Sequence, residues 1–239
     1  MFRFKHFVIH DDLCAMKVGT DGVLIGAWAN LSLEEGSITT TPHCLDVGTG
    51  SGIIALMLAQ RFPKWKIDSI DIDEQAVIQA QRNFSSSPFE ERLSVRNADF
   101  LNSSFPQKTY DAIVSNPPFF QETLCSPDGR RALARHTSVG FDFPRFIEKS
   151  SALLRSGGSL QVILPYDAQN SFHEECNRNG LSLIRQTIVK TVDRKPPKRV
   201  LLHFKKERIS VTVERNQLIL TKDGMRTDEY AQLCQDFYL

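Results

Sequence analysis

The sequence lacks the features that are typical of secreted proteins, of membrane-spanning proteins and of proteins with a structural metal site. Of its 239 residues only five are cysteines, an odd number, and no two of them form a C-x-x-C pair. This usage predicts reduced thiols in a cytosol and argues against a disulfide framework or a zinc site. No window approaches the length of a membrane span, and the first residues contain no sustained apolar stretch of a secretion signal. We therefore expect a soluble cytoplasmic protein without a metal.

A global excess of charge is also lacking. Lysine and arginine number 29 and the acidic residues 28, so the formal net charge is +1. Binding to nucleic acid must therefore be inferred from local clusters and not from the whole chain. No internal repeat or low-complexity tract divides the sequence, and its length is enough for a sizeable core. We expect one domain over residues 1–239.

What the sequence does contain is a regular alternation of apolar strands and helices from residue 43 to residue 180. This alternation predicts an α/β fold with a doubly wound, mostly parallel sheet. The predicted strands begin with the run at Cys44 and continue at Lys66–Asp71, Leu93–Asn97, Tyr110–Ser115 and Leu160–Pro165. The predicted helices begin at Ile53 and Asp73 and then span 142–155, ending at Gly157-Gly158, and 168–179.

The two ends of the chain follow different patterns. Residues 1–42 form an extended lead-in, a short helix with an N-cap at Thr20-Asp21, and a loop. Residues 181–239 are β-rich, with strands predicted at 181–191, 199–205 and 209–213, followed by a helix at 228–237. We expect these late strands to form an antiparallel hairpin at one edge of the sheet.

The segment Cys44–Gly52 contains the first strand of the alternation and the glycine-rich loop that follows it. Strand, tight turn and helix begin a βαβ unit, and glycine lets the backbone turn sharply with a ligand close by. The spacing is G-x-G-x-G and not the G-x-G-x-x-G of a dinucleotide site, and the loop contains no basic residue for a phosphate. An acidic residue before the first glycine favours a cationic ligand, although a purely structural turn remains an alternative. The loop residues expected at the cofactor are Asp46, Gly48, Thr49, Gly50 and Gly52.

Carboxylates also end the next two strands. Asp71 lies about twenty residues after the loop, where an acidic side chain can accept both hydroxyls of a ribose. Asp99 ends the third strand, where it can accept from an adenine amino group, with Phe100 beside it. Each could instead be a surface or capping residue, but three acidic strand ends on one rim predict a pocket for a cationic nucleoside. We therefore expect Asp71, Ile72, Asp99 and Phe100 at the cofactor.

The strongest signal is Asn116-Pro117-Pro118-Phe119, directly after a buried strand. The two prolines fix the chain and remove two backbone donors. The side-chain oxygen of Asn116 and the carbonyl of Pro117 are then two acceptors that converge on one NH₂ group, while Phe119 can stack on the planar group that bears it. A proline-rich turn is the alternative. We expect all four residues to be catalytic, with Asn116 also at the cofactor.

These motifs, in this order, resemble the class I S-adenosyl-L-methionine-dependent N-methyltransferases that modify planar exocyclic amines and amides. Two further stretches, Cys14–Trp28 and Pro196–Leu202, look like the bacterial tRNA1(Val) adenine-37 N6-methyltransferase family. The resemblance covers nearly the whole chain. It implies a seven-stranded Rossmann-like sheet, S-adenosyl-L-methionine as cofactor, and methyl transfer to an adenine in the anticodon stem-loop of a tRNA. We also expect a monomer, although the sequence leaves the oligomeric state open. One difference is Phe119, where many relatives have Tyr, so any contact that needs the hydroxyl is lost.

The resemblance also implies that Lys17–Gly22 folds over the cofactor as part of a lid, with Lys17, Thr20 and Asp21 contacting it. An ordinary capped helix is the alternative for this stretch. Hydrogen bonds from the adenine N6 to Asn116 and Pro117 would align the amine with the activated methyl group. No general base is required, because the amine becomes strongly acidic as it alkylates, and His136 is the nearest candidate.

Two local clusters of positive charge predict an RNA partner. Residues 190–208 carry eight basic and two acidic residues, a net charge of +6, which leaves −5 for the rest of the chain. A second cluster follows the Asn-Pro-Pro motif. A solvated hairpin whose lysines prevent edge pairing is the alternative for the first cluster. The residues expected to bind RNA are Arg130, Arg131, Arg135, Lys195, Lys198 and Arg199.

Two functions other than tRNA adenine methylation are also compatible with these residues. Glutamine methylation of release factors uses the same Asn-Pro-Pro pocket for an amide. However, the roughly 45 residues before the glycine loop are too few for that family's helical binding domain. A non-catalytic RNA-binding protein on the same fold is the second rival, although the retained Asn116, Pro117 and glycine loop argue against it.

Overall fold

The structure is a computed structural model that describes residues 1–31, 41–118, 141–207 and 212–238. Phe119, Arg130, Arg131, Arg135 and His136 therefore lie outside the described residues. The strands are β1 Phe2–Arg3, β2 Val8–Ile9, β3 His43–Val47, β4 Lys66–Asp71, β5 Leu93–Asn97, β6 Tyr110–Ser115, β7 Leu154–Pro165, β8 Ser182–Lys190, β9 Arg199–Lys205, β10 Glu214–Ile219, β11 Thr221–Lys222 and β12 Met225–Arg226. The helices are α1 Thr20–Trp28, α2 Ile53–Arg61, α3 Glu74–Ser85, α4 Phe143–Leu153, α5 Gln169–Arg178 and α6 Asp228–Leu233.

The central sheet has eight strands in the order β10-β8-β9-β7-β6-β3-β4-β5. Within the described sheet, β9 alone runs against its neighbours, since it is antiparallel to both β7 and β8 while the other adjacent pairs are parallel. The predicted α/β class and the mostly parallel Rossmann-like sheet are confirmed. The predicted count of seven strands is wrong, because β10 adds an eighth strand parallel to β8.

Two hydrophobic cores, one on each face of the sheet, explain why the interior strands bury apolar side chains on both faces. Successive β3 residues alternate between them: Cys44 packs with α1, α2 and α3, and Leu45 packs with α4 and α5. Parallel strands covered by helices on both faces bury both sets of side chains, so they appear as continuous apolar runs. This is the physical basis of the predicted doubly wound arrangement.

The join between α4 and β7 differs from the prediction. Helix α4 ends at Leu153, and β7 begins at Leu154, so Gly157-Gly158 lie inside the strand and do not end the helix. Gly157 has φ +73°, and a Cβ on Gly158 would lie 2.9 Å from the carbonyl oxygen of Arg155. The register of β7 against β6 shifts next to these residues. The two glycines therefore form a bulge, and its backbone conformation leaves no room for a side chain.

The ends of the chain also depart from the predicted boundaries. The predicted strand at 209–213 lies partly outside the described residues, and the strand that the structure describes there is β10. Helix α6 ends at Leu233, short of the predicted 237. The two termini meet, since the backbone N–H of Lys5 donates to the carbonyl of Phe237 at 2.9 Å and the rings of Phe4 and Tyr238 stack at 6.0 Å.

Helix α1 does not begin with the predicted cap. Its N-cap is Gly19, which provides no side-chain hydrogen bond, and the carboxylate of Asp21 binds Arg199 instead. The helix packs closely on α2, because a Cβ on Gly26 would lie 2.7 Å from Sδ of Met57. Close packing and a distant ion pair thus take the place of a local cap.

Candidate active site at the carboxyl ends of the strands

The carboxyl ends of β6, β3, β4 and β5 form one rim, because these strands are adjacent and parallel. Hydrogen bonds tie the strand ends together. The backbone N–H groups of Gly48 and Thr49 donate to the carbonyl of Ile70 at 2.9 and 3.0 Å. The hydroxyl of Ser115 donates to the carbonyl of Val47 at 2.8 Å. The rim therefore brings together the four strand ends that carry Asp46, Asp71, Asp99 and Asn116.

The three glycines of the loop are needed for two different reasons. Gly48 and Gly50 have φ of +74° and +55°, and a Cβ built on either meets nothing within 4 Å. These two residues provide left-handed backbone beside open space that a ligand can occupy. Gly52 also has positive φ, but a Cβ there would lie 2.5 Å from the ring of Phe84. Its close approach to α3 explains Gly52 without a ligand.

Asp46 is fully buried beneath the loop. Its Oδ2 accepts a 2.6 Å hydrogen bond from the hydroxyl of Thr49, and among the described residues its Oδ1 has no hydrogen-bond partner. Burial raises the pKa of Asp46 to about 7, although the hydrogen bond from Thr49 and, more weakly, the backbone N–H of Ala55 oppose this shift. The Ala55 N–H does not meet the geometry of a hydrogen bond to Oδ1. A buried carboxylate oxygen without a partner is costly unless a donor or a cation reaches it. This site is therefore suited to a cationic ligand.

Asp71 holds the glycine loop in place. Its Oδ2 accepts from the backbone N–H of Gly50 at 2.8 Å, and its Oδ1 accepts from that of Asp73 at 2.9 Å. Burial raises the pKa of Asp71, and these two backbone donors partly counteract the shift. A carboxylate oxygen accepts more than one hydrogen bond, so Asp71 retains capacity for the two hydroxyls of a ribose.

The adenine end of the predicted pocket is less uniform. The side chain of Ile72 is 52 % exposed, which is unusual for isoleucine and leaves an apolar surface next to Asp71. Asp99 accepts from the backbone N–H of Leu101 at 2.9 Å and from the side chain of Asn102 at 2.6 Å. The ring of Phe100 is buried against Phe146, with centroids 5.3 Å apart. Any contact of Phe100 with a cofactor is therefore left to its backbone.

The Asn-Pro-Pro motif follows β6 at the middle of this rim. Asn116 is half-buried, Pro117 is buried and Pro118 is half-buried. The sheet register places Ser115, the last residue of β6, opposite Val47, the last residue of β3. Asn116 therefore follows β6 beside the start of the glycine loop, where the two strands end together.

Two buried polar residues on α3, which the sequence pattern did not single out, hold the N-terminal segment against the loop. The side-chain amide of Asn83 donates to the carbonyls of Ser51 and His10, at 2.8 and 2.7 Å, and its oxygen accepts from the N–H of His10. Gln79 accepts from the N–H of Leu13 at 3.2 Å. Both occupy the buried face of an amphipathic helix, where a polar residue signals a buried partner.

The segment before α1 lies beside the acidic rim. Lys17 donates from Nζ to the carbonyl of Asp11 at 2.7 Å, and the carboxylate of Asp11 accepts from the N–H of Val18. Burial raises the pKa of the Cys14 thiol to about 12, and the negative charges of Asp71 and Asp11 add to the shift. The hydrogen bond from Lys17 to Asp11 therefore stabilises the loop formed by residues 11–17 near the rim. Thr20, the first residue of α1, is exposed.

The hairpin loop between β8 and β9, residues 191–198, opens at the same edge of the sheet. Arg199, the first residue of β9, pairs with Pro165, the last residue of β7. Lys195 and Lys198 are exposed on this loop. The Nε of Arg199 lies 2.8 Å from Oδ2 of Asp21. The structure thus brings the predicted RNA-binding loop to the rim of the predicted cofactor pocket.

The described residues contain no group of three His, Cys, Asp or Glu side chains arranged to hold a metal ion. In the same part of the chain, no helix is long and apolar enough to cross a membrane. The four cysteines that the structure describes are buried and unpaired.

Comparison with known proteins identifies the class that this rim belongs to. Residues 30–173 match the family described as "Methyltransferase small domain". The fold is similar to the crystal structure of a predicted O-methyltransferase from Agrobacterium tumefaciens, with a TM-score of 0.68 at 17% identity, covering 90% of this chain and 96% of that one. The chain is an S-adenosyl-L-methionine-dependent methyltransferase.

Full-length relatives narrow the class further. The chain is 40% identical over 239 residues to the tRNA1(Val) (adenine(37)-N6)-methyltransferase of Phocaeicola vulgatus, covering 100% of this chain and 97% of the relative. The protein of the same name from Parabacteroides distasonis is 39% identical over 240 residues, with the same coverage. The chain belongs to the tRNA1(Val) (adenine(37)-N6)-methyltransferase family, and the resemblance inferred from its motifs is confirmed.

The residues of the rim fit this cofactor. Gly48 and Gly50 leave open space above the loop, the unpartnered Oδ1 of Asp46 suits a positively charged ligand, and Asp71 retains acceptor capacity for a ribose. These three features correspond to the methionine, sulfonium and ribose parts of S-adenosyl-L-methionine. The individual contacts remain predictions.

We predict that the affinity for S-adenosyl-L-methionine rises with pH through about 7. The pKa of Asp46 in the free protein is about 7, so the carboxyl is increasingly protonated below this pH. A cationic ligand favours the ionised form, so its affinity falls by up to about tenfold per pH unit below the pKa and levels off above it. Titration calorimetry between about pH 5.5 and 8.5 tests this expectation.

The control for this prediction is Asp46→Asn, which cannot ionise. Its affinity should be lower than that of the wild type at high pH and nearly independent of pH. Because burial also raises the pKa of Asp71, a dependence that survives unchanged in Asp46→Asn would assign the titration to another group and contradict the prediction.

Proposed function

We propose that the protein methylates N6 of adenine 37 in tRNA1(Val), as the names of its relatives describe for them. The observation that carries this proposal is the position of Asn116-Pro117 at the end of β6, beside the glycine loop at the start of the cofactor rim. S-adenosyl-L-methionine supplies a methyl group that is already activated by the sulfonium charge. The task left to the protein is to orient the acceptor amine.

Asn116 and Pro117 supply the two acceptors for that amine. The side-chain oxygen of Asn116 and the carbonyl of Pro117 accept the two N6 hydrogens of the adenine, and neither Pro117 nor Pro118 has an N–H group that would compete. These hydrogen bonds strengthen as positive charge develops on nitrogen, so they stabilise the transition state more than the bound substrate. The buried Pro117 fixes the geometry of the pair.

The target base must leave the anticodon loop to reach this rim. Bases that undergo chemistry are turned out of the stack and held by stacking and by hydrogen bonds to their edges. We assign the stacking to Phe119, which follows the motif in sequence. No general base is needed, because the alkylated amine is strongly acidic and gives its proton to solvent.

The charge of the hairpin loop supports a tRNA substrate. The loop 191–198 lies at the rim with Lys195 and Lys198 exposed, within the segment of net charge +6. Phosphate contacts account for most nucleic-acid affinity and for its salt dependence. We assign Lys195 and Lys198 to the tRNA backbone near the anticodon, and we keep Arg130, Arg131 and Arg135, which lie outside the described residues, as further RNA-binding residues from their charge alone.

Neutralising both lysines as Lys195→Gln/Lys198→Gln should weaken tRNA binding by about tenfold at low salt. The slope of log affinity against log salt should also become shallower by about one to two, because each lost phosphate contact lowers the number of counterions released on binding. Filter binding or fluorescence anisotropy across a salt series measures both quantities. Lys222→Gln, an exposed lysine on β11, is the control. An unchanged slope would assign the phosphate contacts elsewhere.

The experiment that tests the function is methyl transfer from labelled S-adenosyl-L-methionine to unmodified tRNA1(Val). A tRNA with guanine at position 37 and a bacterial release factor serve as parallel acceptors. Label recovered as N6-methyladenosine in the first tRNA alone supports the proposal. Label in the guanine-37 tRNA moves the target to another adenine. Label in the release factor supports glutamine methylation instead.

We propose a single domain over residues 1–239, with a lead-in and lid at 1–42, the cofactor-binding and catalytic core at 43–180, and the hairpin edge and terminal helix at 181–239. We also propose that the protein acts as a monomer in the cytoplasm, where its tRNA substrate is found. Sedimentation with and without tRNA tests the oligomeric state.

A further inference from the structure

Helix α1 is fixed at both ends by the β8–β9 hairpin. At its C-terminus the indole N–H of Trp28 donates to the hydroxyl of Thr187 at 2.9 Å, and Arg185 donates to the carbonyl of Trp28 at 2.6 Å. The guanidinium of Arg185 also lies 3.7 Å from the centroid of the Trp28 ring. At the first turn of the helix, Asp21 forms the ion pair with Arg199. The hairpin therefore contacts both ends of α1, while Arg61 of α2 donates to the carbonyls of Gly26 and Ala29 near its C-terminus.

Helix α1 also packs on the helix that follows the glycine loop. A Cβ on Gly22 would lie 3.1 Å from Cγ2 of Ile53, which is the first residue of α2. Gly22 follows Asp21 directly, so the ion pair and the contact with the start of α2 belong to the same turn of α1. A shift of this turn would press on the point where the loop Gly48–Gly52 enters α2, because a packed interior does not deform freely.

The guanidinium of Arg199 already forms contacts within the protein, unlike an exposed side chain that is available to a phosphate. Its side chain is 34% exposed, its Nε donates to Asp21 at 2.8 Å, and its Nη1 donates to the carbonyl of Lys198 at 3.1 Å. Two of the three guanidinium nitrogens are therefore engaged within the protein. A phosphate would have to compete with a carboxylate that is already in place.

We propose that Arg199 is a positioning residue for the cofactor site, which acts through Asp21 and α1, and that it is not a phosphate contact. The Asp21–Arg199 pair links the base of the hairpin loop to the turn of α1 that packs on α2. Lys195 and Lys198 then remain as the tRNA contacts of that loop. The inference rests on the proposed function only in assigning the loop to tRNA, because cofactor binding follows from the family alone.

The test is a double-mutant cycle on the affinity for S-adenosyl-L-methionine, measured by calorimetry without tRNA. Arg199→Gln and Asp21→Asn should each raise Kd by about five- to tenfold, and the double variant should be no weaker than the weaker single variant, because one contact is lost in all three. Arg199→Lys should lie between wild type and Arg199→Gln, since lysine keeps the charge without the planar fork.

Lys198→Gln is the matched control at the neighbouring position. It should leave the cofactor Kd unchanged and raise the KM for tRNA, whereas Arg199→Gln should raise the cofactor Kd and leave the KM for tRNA at saturating cofactor near that of the wild type. Thermal unfolding of each variant verifies that the fold is intact.

The opposite pattern would overturn the inference. If Arg199→Gln binds the cofactor normally and raises the KM for tRNA as Lys198→Gln does, Arg199 is a phosphate contact. If Arg199→Gln weakens cofactor binding equally in the wild type and in the Asp21→Asn background, it does not act through Asp21. A failure of the proposed tRNA methylation would leave the cofactor cycle readable, so the two outcomes are distinguishable.

Discussion

Asn116→Ala is expected to lower kcat for methyl transfer by about 10³-fold while the affinity for S-adenosyl-L-methionine changes by less than about threefold. The alanine variant keeps the rim, the glycine loop and both prolines, but loses the side-chain acceptor that aligns the amine. Removing one preorganised partner of developing charge has effects of this size in other enzymes. Single-turnover transfer to unmodified tRNA, together with calorimetry for the cofactor, measures both quantities.

The control for this variant is Asn177→Ala, at an exposed asparagine on α5 away from the rim. Its rate should equal that of the wild type. A rate for Asn116→Ala within about tenfold of the wild type would mean that Asn116 does not hold the amine. Pro117 and its neighbours would then be the residues to replace next.

Asp71→Ala should produce the largest loss of cofactor affinity, with Kd raised by about 100-fold. The carboxylate accepts from the N–H groups of Gly50 and Asp73, and its remaining acceptor capacity serves the ribose. Alanine removes the ribose contact and leaves both backbone donors without a partner, so the loop loses its anchor at the same time. Calorimetry with S-adenosyl-L-methionine and with adenosine alone separates the two contributions.

Asp68→Ala is the matched control, because Asp68 lies earlier on the same strand and accepts from the hydroxyl of Ser94 at 2.6 Å. It should bind the cofactor like the wild type. If Asp71→Ala does so as well, the ribose lies elsewhere on the rim, and Asp99 becomes the first residue to replace.

The central strands could be predicted closely from the sequence. Lys66–Asp71, Leu93–Asn97 and Tyr110–Ser115 have the predicted boundaries, because each ends where polar residues reach the rim. Leu93–Asn97 does so although it is the edge strand of the sheet. For the same reason the sequence located the acidic rim and the Asn-Pro-Pro motif. Where a strand lies between covered faces, the local pattern and the tertiary structure impose the same constraint.

The features that could not be predicted depend on contacts between distant parts of the chain. Asp21 has the local pattern of a helix cap, but its partner Arg199 is 178 residues away. Asn83 resembles any polar residue of an amphipathic helix, yet it holds both the loop and the N-terminal segment. Gly157-Gly158 resemble a helix end, and only the register against β6 reveals a bulge.

The place of β9 in the sheet has a consequence for the order of folding during synthesis. The two neighbours of β8 are β9 and β10, and both follow it in the sequence. When β8 leaves the ribosome, the strands from β3 to β7 can already pair, but β8 has no partner until residues 199–205 are synthesised. Its backbone N–H and C=O groups therefore lack a neighbouring strand during that interval, and an unpaired strand edge promotes aggregation. The half of the sheet next to the loop 191–198 is therefore expected to be the last to form.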